Sequence, residues 1–142
     1  MKKAASVFLR LLLCAMLTGA LASCAKKTYR DGVYFGKSGP DEKGAWGEVT
    51  VTIKDGRVSD CAFLTRQKDG SVKGGDYGKI NGAISNQDYY NKAQLAVRAM
   101  DEYARVFRET GDLGKVDAVS GATNSFNQFI EAVDYALDAA SP

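Results

Sequence analysis

The stretch from Trp46 to Thr65 constrains the fold of this chain most tightly. Val49, Val51 and Ile53 alternate with Thr50, Thr52 and Lys54. A period of two is the mark of a strand with one buried face. Trp46 is read onto the apolar side of this strand, opposite Glu48. The alternation then breaks near Gly47, which predicts a bulge there. Asp55-Gly56 follows, a dipeptide suited to the left-handed backbone of a tight hairpin turn. Arg57 to Thr65 returns as a third strand carrying Val58, Cys61 and Phe63. Upstream, Gly32-Val33-Tyr34-Phe35-Gly36 predicts a first strand, and Ser38 to Gly44 a polar loop. Three antiparallel strands with one apolar face need a helix to cover them.

Two segments can supply that cover. From Gln87 to Glu109, the residues Tyr90, Ala93, Val97, Met100, Ala104 and Phe107 recur mostly at spacings of three and four, which makes one apolar stripe. Asn86 or Asp88 can cap the start, and Gly111 can end the helix. From Ser125 to Ala140 a second helix presents Phe126, Phe129, Ile130, Val133, Tyr135, Ala136 and Leu137. The expected fold is α+β: a small antiparallel sheet packed against two helices in a single domain. Gln67 to Ser85 is glycine-rich with little periodicity, which fits either a binding loop or a mobile surface insertion.

The N-terminus sets the compartment. Lys2, Lys3 and Arg10 precede Leu11 to Ala22, a run without charge that suits a signal-peptide core and is short for a membrane span. Leu21-Ala22-Ser23-Cys24 matches a bacterial lipobox, in which the Cys is lipidated and becomes the mature N-terminus. An uncleaved anchor over Ala4 to Ala22 is the alternative. The expected organisation is a signal peptide over 1–23, a lipid-anchored tether over 24–28 and one domain over 29–142. That puts the protein on the extracytoplasmic face of a membrane, and several acyl chains would hold it there stably. Ala25, not Asp, follows the lipid site, which in a Gram-negative host resembles a signal for release to the outer membrane. Loss of the signal peptide removes Lys2, Lys3 and Arg10 and no acid, so the formal charge of +2 falls to near −1. No basic stripe remains that would point to nucleic acid.

Cysteine and histidine narrow the chemistry further. With Cys24 lipidated, Cys61 is the one thiol left in the mature chain, so neither an internal disulfide nor an iron–sulfur cluster is available. There is no His, which excludes His-based triads, zincin motifs and c-type haem attachment. If the domain moves electrons, its cofactor is organic. Cys61 itself reads as a small buried hydrophobe or as a redox thiol.

Asp117-Ala118-Val119-Ser120-Gly121-Ala122-Thr123 carries the chemistry. Lys115 to Val119 predicts a short strand, followed by a small-residue turn and a hydroxyl that opens the last helix. The first-turn N–H groups of a helix lack partners and the dipole there is positive, which makes a phosphate site. Gly121 and Ala122 leave room for a large group to approach the backbone. A plain helix start capped by Thr123 or Asn124 would have the same geometry.

Asp117-x-x-Ser120-Gly121-Ala122-Thr123 resembles the acceptor motif of the FMN-binding domain family, with Tyr29 to Tyr34 and the Val49 to Val58 hairpin as a weaker frame. Relatives in that family include the periplasmic flavin subunits of ion-pumping NADH:quinone and Rnf-type complexes and flavin lipoproteins of extracellular electron transfer. The resemblance implies FMN as cofactor, joined to Thr123 through a phosphoester by a separate flavin transferase. It implies that Asp117, Ser120, Gly121 and Ala122 shape the turn and are recognised by the transferase, with Asn124 beside them. It also implies redox partner proteins in the membrane or envelope.

The flavin ring would lie against aromatic or aliphatic side chains. Trp46 is the preferred contact, with Tyr34, Tyr77 and Phe126 as others; each reads equally as core packing. No acid, base and nucleophile set is visible, so the expectation is an electron carrier and not an enzyme. Alternatives are a lipoprotein that holds flavin or another small molecule without a covalent bond, and a structural surface lipoprotein.

Overall fold

The computed structural model describes residues 28–142. The proposed signal peptide, the lipobox with Cys24 and most of the tether lie outside the described residues. Among the described residues, no helix is long and apolar enough to cross a membrane.

Three strands form one antiparallel sheet in the order β1-β2-β3: β1 is Gly32–Lys37, β2 is Trp46–Lys54 and β3 is Arg57–Arg66. Asp55 and Gly56 both have positive φ, 54° and 71°, as a tight hairpin demands. The Asp31 carboxylate accepts from both turn N–H groups, at 3.1 Å from Asp55 and 2.8 Å from Gly56.

The inward face of β2 is Gly47, Val49, Val51 and Ile53, all buried. This corrects two expectations. The pleat does not break at Gly47, which pairs with Thr65; the irregularity in register falls between Thr52 and Ile53. Trp46 therefore sits with Glu48 on the opposite face. Gly47 is glycine because a helix lies on it: a Cβ there would stand 2.8 Å from the Phe63 ring and 3.0 Å from Gln128 Cβ. At Gly36 a Cβ would overlap the backbone of Ala132.

Both helices cover that inward face. α1 spans Gln87–Thr110 and lies against β3, while α2 spans Thr123–Ala140 and lies across β1 and β2. The Asn86 side chain caps α1, accepting from Tyr89 N–H at 2.9 Å, and Gly111 closes it with φ 63°. α2 buries Phe129, Ala132, Val133, Ala136 and Ala140. Its Ala132 and Ala136 meet Gly36, and Gln128 meets Gly47, so helix and sheet lie close. Tyr135, expected on the apolar face, is exposed, and Phe126, Ile130 and Leu137 are half-buried. Phe129 is the hub of the core, with ring centroids 5.0 Å from Phe63, 5.9 Å from Tyr103 and 6.1 Å from Phe107. Cys61 is buried among these side chains, and burial, with the Asp60 charge beside it, pushes its thiol up to about 12.

Lys115 to Val119 is not a strand. A short 3₁₀ turn, Leu113–Lys115, is capped by Asp112, and the chain then runs extended with Val116 buried. It has no strand beside it to complete a ladder. The Val119 N–H instead donates to Tyr103 Oη at 3.0 Å.

Candidate functional site

The extended segment delivers the chain to a tight turn. Ala122 N–H donates to Val119 C=O at 2.9 Å, and Gly121, the third residue, has φ 84°. A side chain there would be strained, which is why glycine fits. Val119 is held on α1 through Tyr103, and Ala122 is buried. The turn is thus fixed on both sides.

α2 begins at Thr123 with Ala122 in the N-cap position and no side-chain cap bond. The alternative of a plain helix start capped by Thr123 or Asn124 is therefore not what the helix shows. Alanine is among the poorest N-caps. The first bond of the helix runs from Phe126 N–H to Ala122 C=O at 3.0 Å. The N–H groups of Thr123, Asn124 and Ser125 find no acceptor among the described residues. Thr123 and Asn124 are exposed, as are Ser120 and Asp117.

A cleft of about 320 Å³ opens at this helix start. Gly121, Ala122, Thr123, Asn124 and Ser125 line it, together with Ala96 of α1 and Asp41, Lys43, Lys73 and Tyr77 from two loops. A second cleft of about 540 Å³ shares those last four residues and continues to Ala45, Gln67, Lys68 and Asp69.

The loop over 67–85 is therefore part of the site, and it is bonded throughout its first half. Val72 bridges back to Arg66, and Lys73 N–H donates to Thr65 C=O at 2.8 Å. From α1, Gln94 Nε2 donates to the carbonyls of Gly74 at 3.1 Å and Tyr77 at 2.9 Å, and Tyr90 Oη donates to Gly75 C=O at 3.0 Å. Lys73 is buried, with its ammonium 5.2 Å from the Tyr77 ring centroid. Burial pulls its pKa below the ordinary lysine value, with Asp41 opposing and Lys43 adding to the fall. Sequence reasoning missed Lys73, since one lysine in a glycine-rich loop has no periodic signature. It also missed Gln128, whose Nε2 donates to Ala45 C=O at 2.8 Å and ties α2 to the loop before β2.

Of the aromatic candidates, Tyr77 reaches the clefts and the other three do not. Trp46 lies on the outward face of the sheet, with Lys37 Nζ 4.5 Å from its ring and its Nε1 donating to Glu48 Oε1 at 2.8 Å. That bond, with Arg66 and Lys37 beside it, holds the Glu48 carboxyl below its usual range. Tyr34 donates to Arg30 C=O at 3.0 Å, and Phe126 packs on Tyr103 at 5.5 Å.

Thr123, Asn124, Gly121 and Ala122 thus meet in one cleft. Ser120 and Asp117 flank it, and Asp117 accepts no hydrogen bond among the described residues. The arrangement offers an exposed hydroxyl, three unbonded N–H donors and the ammonium of a largely buried lysine, a donor set suited to a phosphate group. A family model described as an FMN-binding domain matches residues 44–138, a span that contains the turn, the loop and both helices. A Clostridium perfringens protein known from its crystal structure is similar in fold: TM-score 0.61, 18% identity, covering 79% of this chain and 88% of that one. No curated protein matches the chain.

Proposed function

The chain belongs to the FMN-binding domain family, and on that premise we propose that it is an electron carrier whose FMN is joined to Thr123 through a phosphoester. FMN is the cofactor that the family match supports. The observation that carries the finer reading is the start of α2. An exposed threonine hydroxyl stands beside three unbonded N–H groups in a cleft, at a helix whose cap position holds alanine. A natural helix gives up its cap where another group fills that role. A phosphate there would accept from the free N–H groups. The Thr123 oxygen, losing its proton, would attack the flavin-side phosphorus of a flavin dinucleotide brought by a transferase. The ester bond would form as the pyrophosphate P–O bond breaks and the other nucleoside monophosphate leaves.

A separate flavin transferase would make the bond, recognising Asp117 and the Ser120 to Thr123 turn. The flavin supplies the redox chemistry when bound. The chain's residues would fix its place. The carrier reading includes a lipid anchor at Cys24, which puts the domain on the extracytoplasmic face of a membrane with redox partners in the membrane or envelope.

Co-expression with a flavin transferase and intact mass under denaturing conditions test this reading. Wild type is expected to keep a yellow FMN adduct, mapped to the Thr123 peptide. Thr123→Val is expected to lose it with stability changed by less than about 0.5 kcal/mol, because the side chain is exposed and bonds nothing. Flavin released by denaturant would make the protein a non-covalent holder. An adduct retained in Thr123→Val would overturn the assignment.

A further inference from the structure

We propose that Lys73 is the counter-charge for the flavin's phosphoester, so that the cleft selects the phosphate as well as the ring. This rests on the flavin reading above and deepens it. Lys73 is 9% exposed. Its stem is buried while its ammonium stays open to solvent, since no fully buried side-chain nitrogen among the described residues lacks a hydrogen-bond partner. A lysine buried to this degree without a paired anion is uncommon. Among the described residues, Lys73 has no ion pair and its ammonium has no hydrogen bond. Its one close partner is the Tyr77 ring at 5.2 Å.

The nearby Asp41 makes no ion pair with it, although its charge opposes the fall in the Lys73 pKa. One Asp41 oxygen already accepts from Lys43 N–H and Ala45 N–H, both at 2.9 Å. Nor is Lys73 placed by a slack loop, since its own N–H is bonded to β3 and Gln94 holds the carbonyls of Gly74 and Tyr77. The same cleft holds the Thr123 hydroxyl and the three unbonded N–H groups of α2. Two independent features, N–H donors without acceptors and an ammonium without an ion pair or hydrogen bond, therefore face one space. A single phosphodiester anion satisfies both. Lys43 lines the cleft too, but it is exposed and its charge is screened by water.

Two measurements on the mature protein test this. The first follows the Lys73 side chain by NMR through a pH titration, in unmodified and in flavinylated wild type. Flavinylation is expected to shift the Lys73 midpoint upward, because an adjacent anion favours the charged form. The second titrates FMN and riboflavin, which lacks the phosphate, into unmodified protein and follows flavin fluorescence. Lys73→Met is expected to weaken FMN roughly tenfold or more and leave riboflavin unchanged, with Lys73→Arg restoring the preference. Equal weakening of both flavins, or a Lys73 midpoint indifferent to flavinylation, overturns the role of Lys73 and leaves the flavin reading intact. A chain that binds neither free flavin and also gains no adduct from the transferase overturns both. The NMR comparison uses wild type only, so it holds even where Lys73→Met fails to fold.

Discussion

Asp117 is exposed and bonds nothing in the turn it precedes, so a role as a clamp on that turn has no structural support. What remains is recognition by the transferase or a solvated carboxylate. Asp117→Asn separates them. On the recognition reading, the flavinylated fraction falls several-fold at a fixed transferase level while the melting temperature of the unmodified protein stays within about 1–2 °C, as expected for a surface change. Full flavinylation of Asp117→Asn would show the charge to be dispensable. The motif itself was legible in the sequence because it is local: Ser120 to Thr123 make their turn from their own φ angles and their own N–H groups. Lys73 was not legible, because what places it at the cleft is distant along the chain: Thr65 accepts from its N–H, Gln94 holds the neighbouring carbonyls, and the start of α2 lines the same space. Trp46 was placed on the wrong face for a related reason. A glycine at the inward position looks like a break in alternation, when it marks the close approach of a helix.

At the level of elements, periodicity recovered the hairpin and both helices to within two or three residues, with Asn86 and Gly111 as the ends of α1. It failed for Lys115 to Val119, where β-prone residues have no neighbouring strand and the Val119 N–H is satisfied by Tyr103. Propensity gives way there to what is available to bond. The sheet and α2 are close-packed through Gly36 and Gly47. Gly36→Ala is expected to lower unfolding free energy by about 2–3 kcal/mol or more, since the added methyl overlaps backbone and not a movable side chain. Gly74→Ala, with nothing within 4 Å, is the control and is expected to change it by less than about 0.5 kcal/mol. Urea midpoints that coincide for the two variants would contradict the described seating of α2.

Stability against pH is a property of the whole molecule, and Cys61 gives it a definite alkaline limb. Its thiol is raised in the folded protein from an ordinary value of 9.0 to about 12, chiefly by burial. The unfolded chain therefore loses this proton first as pH rises. The contribution of Cys61 is complete below pH 9.0 and is lost as pH climbs through 9.0 toward about 12. Wild type should exceed Cys61→Ala in unfolding free energy by a margin that narrows between neutral pH and about pH 10.5. A constant margin would mean that the thiol ionises as freely folded as unfolded. The same view of the molecule joins its two ends. Arg30 N–H donates to Ala140 C=O at 2.8 Å and the Arg30 guanidinium to Ala139 C=O at 3.0 Å, so the chain enters the domain at the C-terminal end of α2. Thr123 is at the other end of that 18-residue helix, about 27 Å away at 1.5 Å per residue. α2 is in effect a mast: the Thr123 hydroxyl is carried a full helix length from the point where the chain enters the domain.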